Sequence, residues 1–147
     1  MRKAICGAMI ASLVLGLGAG ALRGQDKAGL DRLGQRATEL NQTAKKPGMM
    51  KVALQRVSNE TGVPLTEVEA MHKHYPDAGP AGVMLACVLA DETKKAPEHF
   101  LAKRKGGEGW EAMARANKVS IEKLNERMVR LEKAITPEGE KERPRAK

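Results

Sequence analysis

The chain has 147 residues, enough for one domain and too few for two. It carries 26 Lys+Arg against 18 Asp+Glu, a formal charge of +8, and its only aromatic residues are Tyr75, Phe100 and Trp110. So few ring faces speak against aromatic-stacking nucleic-acid binders and sugar-stacking lectins, and two cysteines, Cys6 and Cys87, are too few for a disulfide scaffold or a Cys-rich zinc site.

The first segment reads as a secretory signal peptide over residues 1–21. Arg2 and Lys3 form a basic start, the run from Ala4 to Leu22 is apolar, and Ile10 to Leu17 is its centre. Ala19 and Ala21 flank Gly20 in the small-x-small pattern that a signal peptidase pocket admits, so cleavage is expected after Ala21, with Gly24 as the second choice. Uncleaved, the same run would serve as a membrane anchor at the short end of the spanning range. No Cys follows it, which speaks against a lipoprotein. Cleavage leaves about 126 residues with a charge of about +6. Cys87 would then be the sole thiol, and its neighbours Leu85, Ala86, Val88 and Leu89 mark it as a small buried hydrophobe.

The remaining periodicity is helical, and no stretch alternates apolar and polar residues. The fold class is therefore all-α: a small bundle or array of about seven short helices within a single domain, residues 22–135. The first helix is expected from Asp26 to Lys45, with Leu30, Leu33, Ala37, Leu40 and Ala44 on one face. Lys46-Pro47-Gly48 ends it. The second runs from Met49 to about Glu60, turns Met50, Ala53, Leu54 and Val57 inward, and stops at Gly62. The third opens at Pro64 and ends before Pro76. The fourth starts near Gly79-Pro80, runs to about Glu92, and is apolar almost all round, which makes it the central buried helix. The fifth covers Pro97 to Gly106-Gly107, and the sixth Glu108 to Ala116. Ser120 caps the seventh, which reaches Ile135 with Ile121, Leu124, Met128, Leu131 and Ile135 on one face. Residues 136–147 are Pro, Gly and charge, a tail expected to be disordered.

A weak internal repeat accompanies this order. Val63 to Val68, Lys95 to Phe100 and Val119 to Leu124 each open a helix with Pro or Ser, an acid in or near the first turn, and a large apolar residue. Gly79 to Gly82 and Gly107 to Trp110 correspond as the turns within two helix-turn-helix-like units. The segment Gly107 to Asn125 also carries two family resemblances. Trp110, Met113, Ala114, Val119, Ser120, Leu124 and Asn125 resemble the helical part of a LysM module, which implies binding of peptidoglycan or a related glycan. That fold sets a strand on either side, where this chain has His99 to Lys105, a poor strand, and Glu126 to Ile135, a strong helix. Met113, Ala114, Val119 and Leu124 also resemble a DNA-binding helix-turn-helix, with Lys118 where its turn usually holds Gly. That likeness implies a recognition helix presenting Lys123, Arg127 and Arg130, and it requires that the N-terminus is not an export signal. Read without either family, the segment is a helical corner whose Trp110 packs into the core.

No constellation points to catalysis, a metal or a cofactor. His72 and His74 are two apart, a spacing that separates them on a helix, and they read as exposed beside Lys73. There is no G-x-S-x-G and no P-loop, and Glu67, Glu69, Asp91, Glu92, Glu108 and Glu111 read as a solvated helix face. Glu126 and Arg130 stand at i,i+4 in the favourable order. The seventh helix is expected to pack within the domain, and the first to protrude or bind a partner. The basic charge is spread along the chain, Lys103-Arg104-Lys105 being its longest block. The resulting expectation is an exported, non-enzymatic helical protein of a bacterial cell envelope, free of cofactors, that binds itself or another protein. Acidic envelope polymers or anionic lipids are further partners that its charge favours. Its interaction surface is placed at the two corners, at Gly79, Gly82, Gly107, Gly109 and Trp110, where glycine permits close approach of another backbone.

Overall fold

A computed structural model describes residues 31–136, which form seven α-helices and, among the described residues, no strand. The signal segment with Ala19, Ala21 and Gly24, and the tail after Thr136, lie outside the described residues. Asp31 sets the first boundary. Its backbone is non-helical (φ −83°, ψ 62°), and its carboxylate accepts the Gly34 N–H at 3.1 Å, so α1 runs Arg32–Ala44. The helix expected from Asp26 thus opens at Arg32, with Asp31 as its cap.

Helix α2, Met49–Thr61, ends at Gly62, whose φ of +72° suits glycine and whose N–H reaches the Ser58 carbonyl at 2.9 Å. Pro64 leads into α3, Leu65–His74, and Tyr75-Pro76 closes it. Helix α4, Gly79–Thr93, is buried at every position from Gly79 to Ala90. Helix α5 is Pro97–Lys105. Helix α6 is Trp110–Ala116, two residues later than the sequence suggests, because the Glu108 N–H turns back to the Lys103 carbonyl and Gly109 is extended (φ −72°, ψ 147°). Helix α7, Ile121–Ile135, is capped by the Ser120 hydroxyl, which accepts the Lys123 N–H at 3.4 Å.

Helix α4 is the axis of the fold, and α1, α2, α3, α5 and α7 all pack against it. Helices α1 and α2 also rest on α7, while α6 joins α1 to α7. The stripe Leu124, Met128, Leu131 and Ile135 is buried, so α7 closes the bundle from within as its sequence predicts. The first helix does not protrude. Leu33, Ala37, Leu40 and Ala44 are all at most 4% exposed, and α1 is as much a core helix as α7. Alanines at 37, 44, 53, 81, 86, 90 and 114 let the helices approach closely. Trp110, Phe100, six leucines and Met84, Met113 and Met128 are among the largest fully buried side chains, and their apolar area is worth about 25 cal/mol per Å² removed from water.

Candidate functional site

A network of buried and half-buried polar groups joins α1 to α6 head to head. The Glu111 Oε1 accepts the N–H groups of Arg32 (3.0 Å) and Leu33 (3.4 Å), the first two of α1. In return Asp31 Oδ1 accepts the Glu111 N–H (3.3 Å) in the first turn of α6. Each helix start is therefore capped by a carboxylate of the other, with the positive ends of both dipoles neutralised. Gly109 makes room for this: a Cβ there would lie 3.2 Å from Asp31 Oδ2. Arg104 ties Asp31 down at 3.2 Å, accepts nothing, and also donates to the Glu108 carbonyl at 3.2 Å. Its guanidinium lies 5.9 Å from the centre of the buried Trp110 ring. Arg115 pairs with the other Glu111 oxygen at 3.1 Å. Glu111, read from sequence as one of many surface carboxylates, is 7% exposed and holds two helices together.

A second cap anchors α4. Asn41 Nδ2 donates to the Ala78 carbonyl at 2.7 Å, and Asn41 Oδ1 accepts the Ala81 N–H at 3.0 Å. Gly79 sits against this amide with φ +64°, and a Cβ there would overlap it.

These contacts decide where the two corners lie. Gly79, Gly82 and Trp110 are buried, Gly109 is half-buried, and Gly107 is exposed. The close approach that the glycines permit is met inside the chain, by Asn41 at Gly79, by Asp31 at Gly109, and by the Trp110 ring, 3.3 Å from a Cβ on Gly82. The segments just before the two corners frame a cleft instead. It encloses about 790 Å³ and is lined by Lys73, His74, Tyr75, Pro76, Asp77 and Ala78 on one side, and by Leu101, Arg104, Lys105 and Gly107 on the other; of the five corner residues only Gly107 lines it. Three cations face one carboxylate there. Arg104 is engaged with Asp31, whereas Lys73 and Lys105 are exposed and have no ion-pair partner among the described residues. The His74 ring stands edge-on to Tyr75, centroids 5.1 Å apart at 70°. Lys73 and Lys105 thus line one concavity, with the half-buried phenol ring of Tyr75 beside them.

The charge of the cleft has a local cause. Helices α3 and α5 each end in a basic last turn, His72-Lys73-His74 and Lys103-Arg104-Lys105, which suits the negative end of a helix dipole. Both helices pack on α4, which brings their ends together. Sequence reasoning marked the second block as diffuse charge because only the fold sets it beside the first.

Other candidates resolve as structural. The cations of the DNA-recognition reading are used inside the chain: Lys123 pairs with Glu92, while Arg127 and Arg130 reach Glu60 at 2.9 and 3.2 Å. Arg130 therefore pairs with Glu60 across the α2–α7 interface, and the expected bond to Glu126 is not formed. Burial raises the Glu60 pKa, but hydrogen bonds from Arg130 and Arg127 and the field of Arg56 outweigh it and hold the carboxyl below its ordinary value. Lys118 occupies the left-handed position of the α6–α7 turn (φ 56°), where the helix-turn-helix pattern prefers glycine. Helices α5 and α7 stand where a LysM module would have strands. His74 and His99 are exposed, but His72 is half-buried, its Nδ1 has no hydrogen-bond partner, and burial lowers its pKa. Cys87 is 4% exposed, and burial, then the fields of Glu98 and Glu67, push its thiol up to about 12. Among the described residues no group of three or more His, Cys, Asp or Glu is placed to hold a metal, and no helix is long and apolar enough to cross a membrane.

Comparisons with protein-family models, with curated proteins and with solved structures find no match to this chain.

Proposed function

We propose that this is an exported binding protein of a bacterial cell envelope, and that the cleft between Lys73 and Gly107 receives an acidic segment of a partner protein. The observation that carries the reading is the convergence of two basic helix ends on one concavity of about 790 Å³, with Lys73 and Lys105 exposed across it. A protein with a positive cleft draws in acidic partners and orients them before contact. The basic face of α7 offers less, because Arg127, Arg130 and Lys123 are held by Glu60 and Glu92. Export rests on Arg2, Lys3, the apolar run from Ala4 to Leu22, and Ala19 and Ala21. The reading assigns the protein no catalytic residue and no cofactor.

Photo-crosslinking in cells tests both halves. A photoreactive side chain at position 105 should form an adduct with an acidic protein in the envelope fraction. The same probe at the exposed Lys51 position on α2 should not. Equal labelling from both positions, adducts confined to glycan or lipid, or adducts confined to cytoplasmic proteins would refute the proposal.

A further inference from the structure

A second groove adjoins the cleft on the other side of His74 and Tyr75. It encloses about 670 Å³, and both residues line it as well as the cleft. Its walls are Val63, Ala70, Met71 and Pro97, and at its edge stand Glu67 and Glu98. Ala70 is exposed, while Val63, Tyr75 and Pro97 are half-buried, so this is open apolar surface. Glu67 and Glu98 are exposed and have no ion-pair partner among the described residues. Both line this one groove, and the fields of both reach the buried Cys87 thiol of α4.

The two concavities thus have opposite character across one ridge. On one side Lys73 and Lys105 outnumber the single carboxylate of Asp77. On the other is apolar wall with two carboxylates at its rim. A run of acidic residues that fills the cleft meets repulsion from Glu67 and Glu98 if it continues past Tyr75. An uncharged aliphatic side chain meets Val63, Ala70, Met71 and Pro97 instead, and is taken out of water. Attraction on one side combined with like charge on the other is how a site discriminates among similar acidic segments. We infer that the partner segment is bipartite: a short acidic run in the Lys73–Lys105 cleft, followed across the His74–Tyr75 ridge by one aliphatic side chain in the Val63–Pro97 groove. This rests on the binding proposed above and adds the groove to it.

Fluorescence anisotropy with synthetic peptides and the full-length protein tests the inference. The probes are a fluorescein-labelled tetra-aspartate extended by glycines, the same peptide with leucine in place of the last glycine at either end, and an extended all-aspartate peptide. At low salt, one of the leucine peptides should bind about tenfold more tightly than its glycine parent, the scale expected for burying one aliphatic side chain. The all-aspartate peptide should gain nothing over tetra-aspartate. Ala70→Gln narrows the groove at an exposed helix position and should abolish the leucine gain while leaving tetra-aspartate affinity unchanged. Lys73→Gln combined with Lys105→Gln should weaken every peptide. If tetra-aspartate binds and the lysine variant weakens it, but leucine adds nothing at either end or its gain survives Ala70→Gln, the groove inference is overturned and the cleft stands. If no peptide binds, both fall. A concentration-dependent dimer that Ala70→Gln disrupts would also overturn it, since a second copy would then fill the groove.

Discussion

Replacing Glu111 with alanine isolates the α1–α6 junction. The substitution removes the acceptor of the Arg32 and Leu33 N–H groups and the partner of Arg115. Arg32 is exposed, so water replaces much of what it loses. Leu33 is 0% exposed, and its N–H has no route to solvent. An unsatisfied buried donor costs about 1–3 kcal/mol, and a lost helix cap about 1. The Arg115 pair adds little, because the Arg115 side chain is 56% exposed. The expected loss is about 2–3 kcal/mol, a fall of roughly 10 °C in melting temperature for a domain of this size. Glu108→Ala is the control. Its carboxylate is three residues away on the same turn, pairs with Lys103 at 3.4 Å, and is 36% exposed, so its removal should cost less than about 1 kcal/mol. Urea unfolding followed by the fluorescence of Trp110, the only tryptophan, and by helical circular dichroism measures both variants. Glu111→Gln keeps one acceptor oxygen and should fall between them. Equal stability of the Glu111→Ala and Glu108→Ala proteins would refute the reciprocal cap.

Three further outcomes follow from the same structure. Gly79→Ala forces a Cβ into the Asn41 amide at φ +64° and should cost about 3 kcal/mol in a urea titration, whereas Gly48→Ala, with φ +78° and open space, should show only the backbone strain of about 1 kcal/mol. Stability should fall as pH drops below 6.5, the ordinary value for His72, because the unfolded chain takes up this proton while burial keeps the folded imidazole neutral; His72→Gln should flatten the curve between about pH 7 and 5, and an unchanged curve would argue against it. Cys87, with its thiol pushed up to about 12, should react with a thiol-specific chromogenic disulfide at pH 8 only at the rate of unfolding, so urea should accelerate labelling; prompt modification in native buffer would contradict its burial.

Local rules carried much of the fold. The stripes in α1 and α7 repeat at helical spacing, Gly62 stops α2, Ser120 caps α7, and the all-apolar stretch from Gly79 to Ala90 becomes the buried axis. These follow from residues close together in the sequence. What escaped depends on distant pairs. Asp31 read as part of a helix, although an aspartate three residues before Gly34 has the form of an N-cap. Nothing in the sequence ties it to Glu111, eighty positions away. The separation of the first helix by Lys45 to Gly48 suggests an element that protrudes or binds a partner, yet such a turn only reverses the chain, and Leu33, Leu40 and Ala44 are buried within the bundle. The corners were half legible: their glycines do allow close contacts, but with Asn41, Asp31 and Trp110 of the same chain. The cleft needs the ends of α3 and α5 side by side, and a basic last turn is so common a helix ending that neither block stands out alone.

The most direct test of the binding proposal is an amide nitrogen–proton chemical-shift titration of the domain with acetylated tetra-aspartate. The cleft reading predicts saturable shifts at Lys73, His74, Tyr75, Asp77 and Ala78 and at Arg104 to Gly107, reduced by added salt, with Lys51 and Arg130 unmoved. No shifts, or shifts spread evenly over all exposed basic residues, would contradict it.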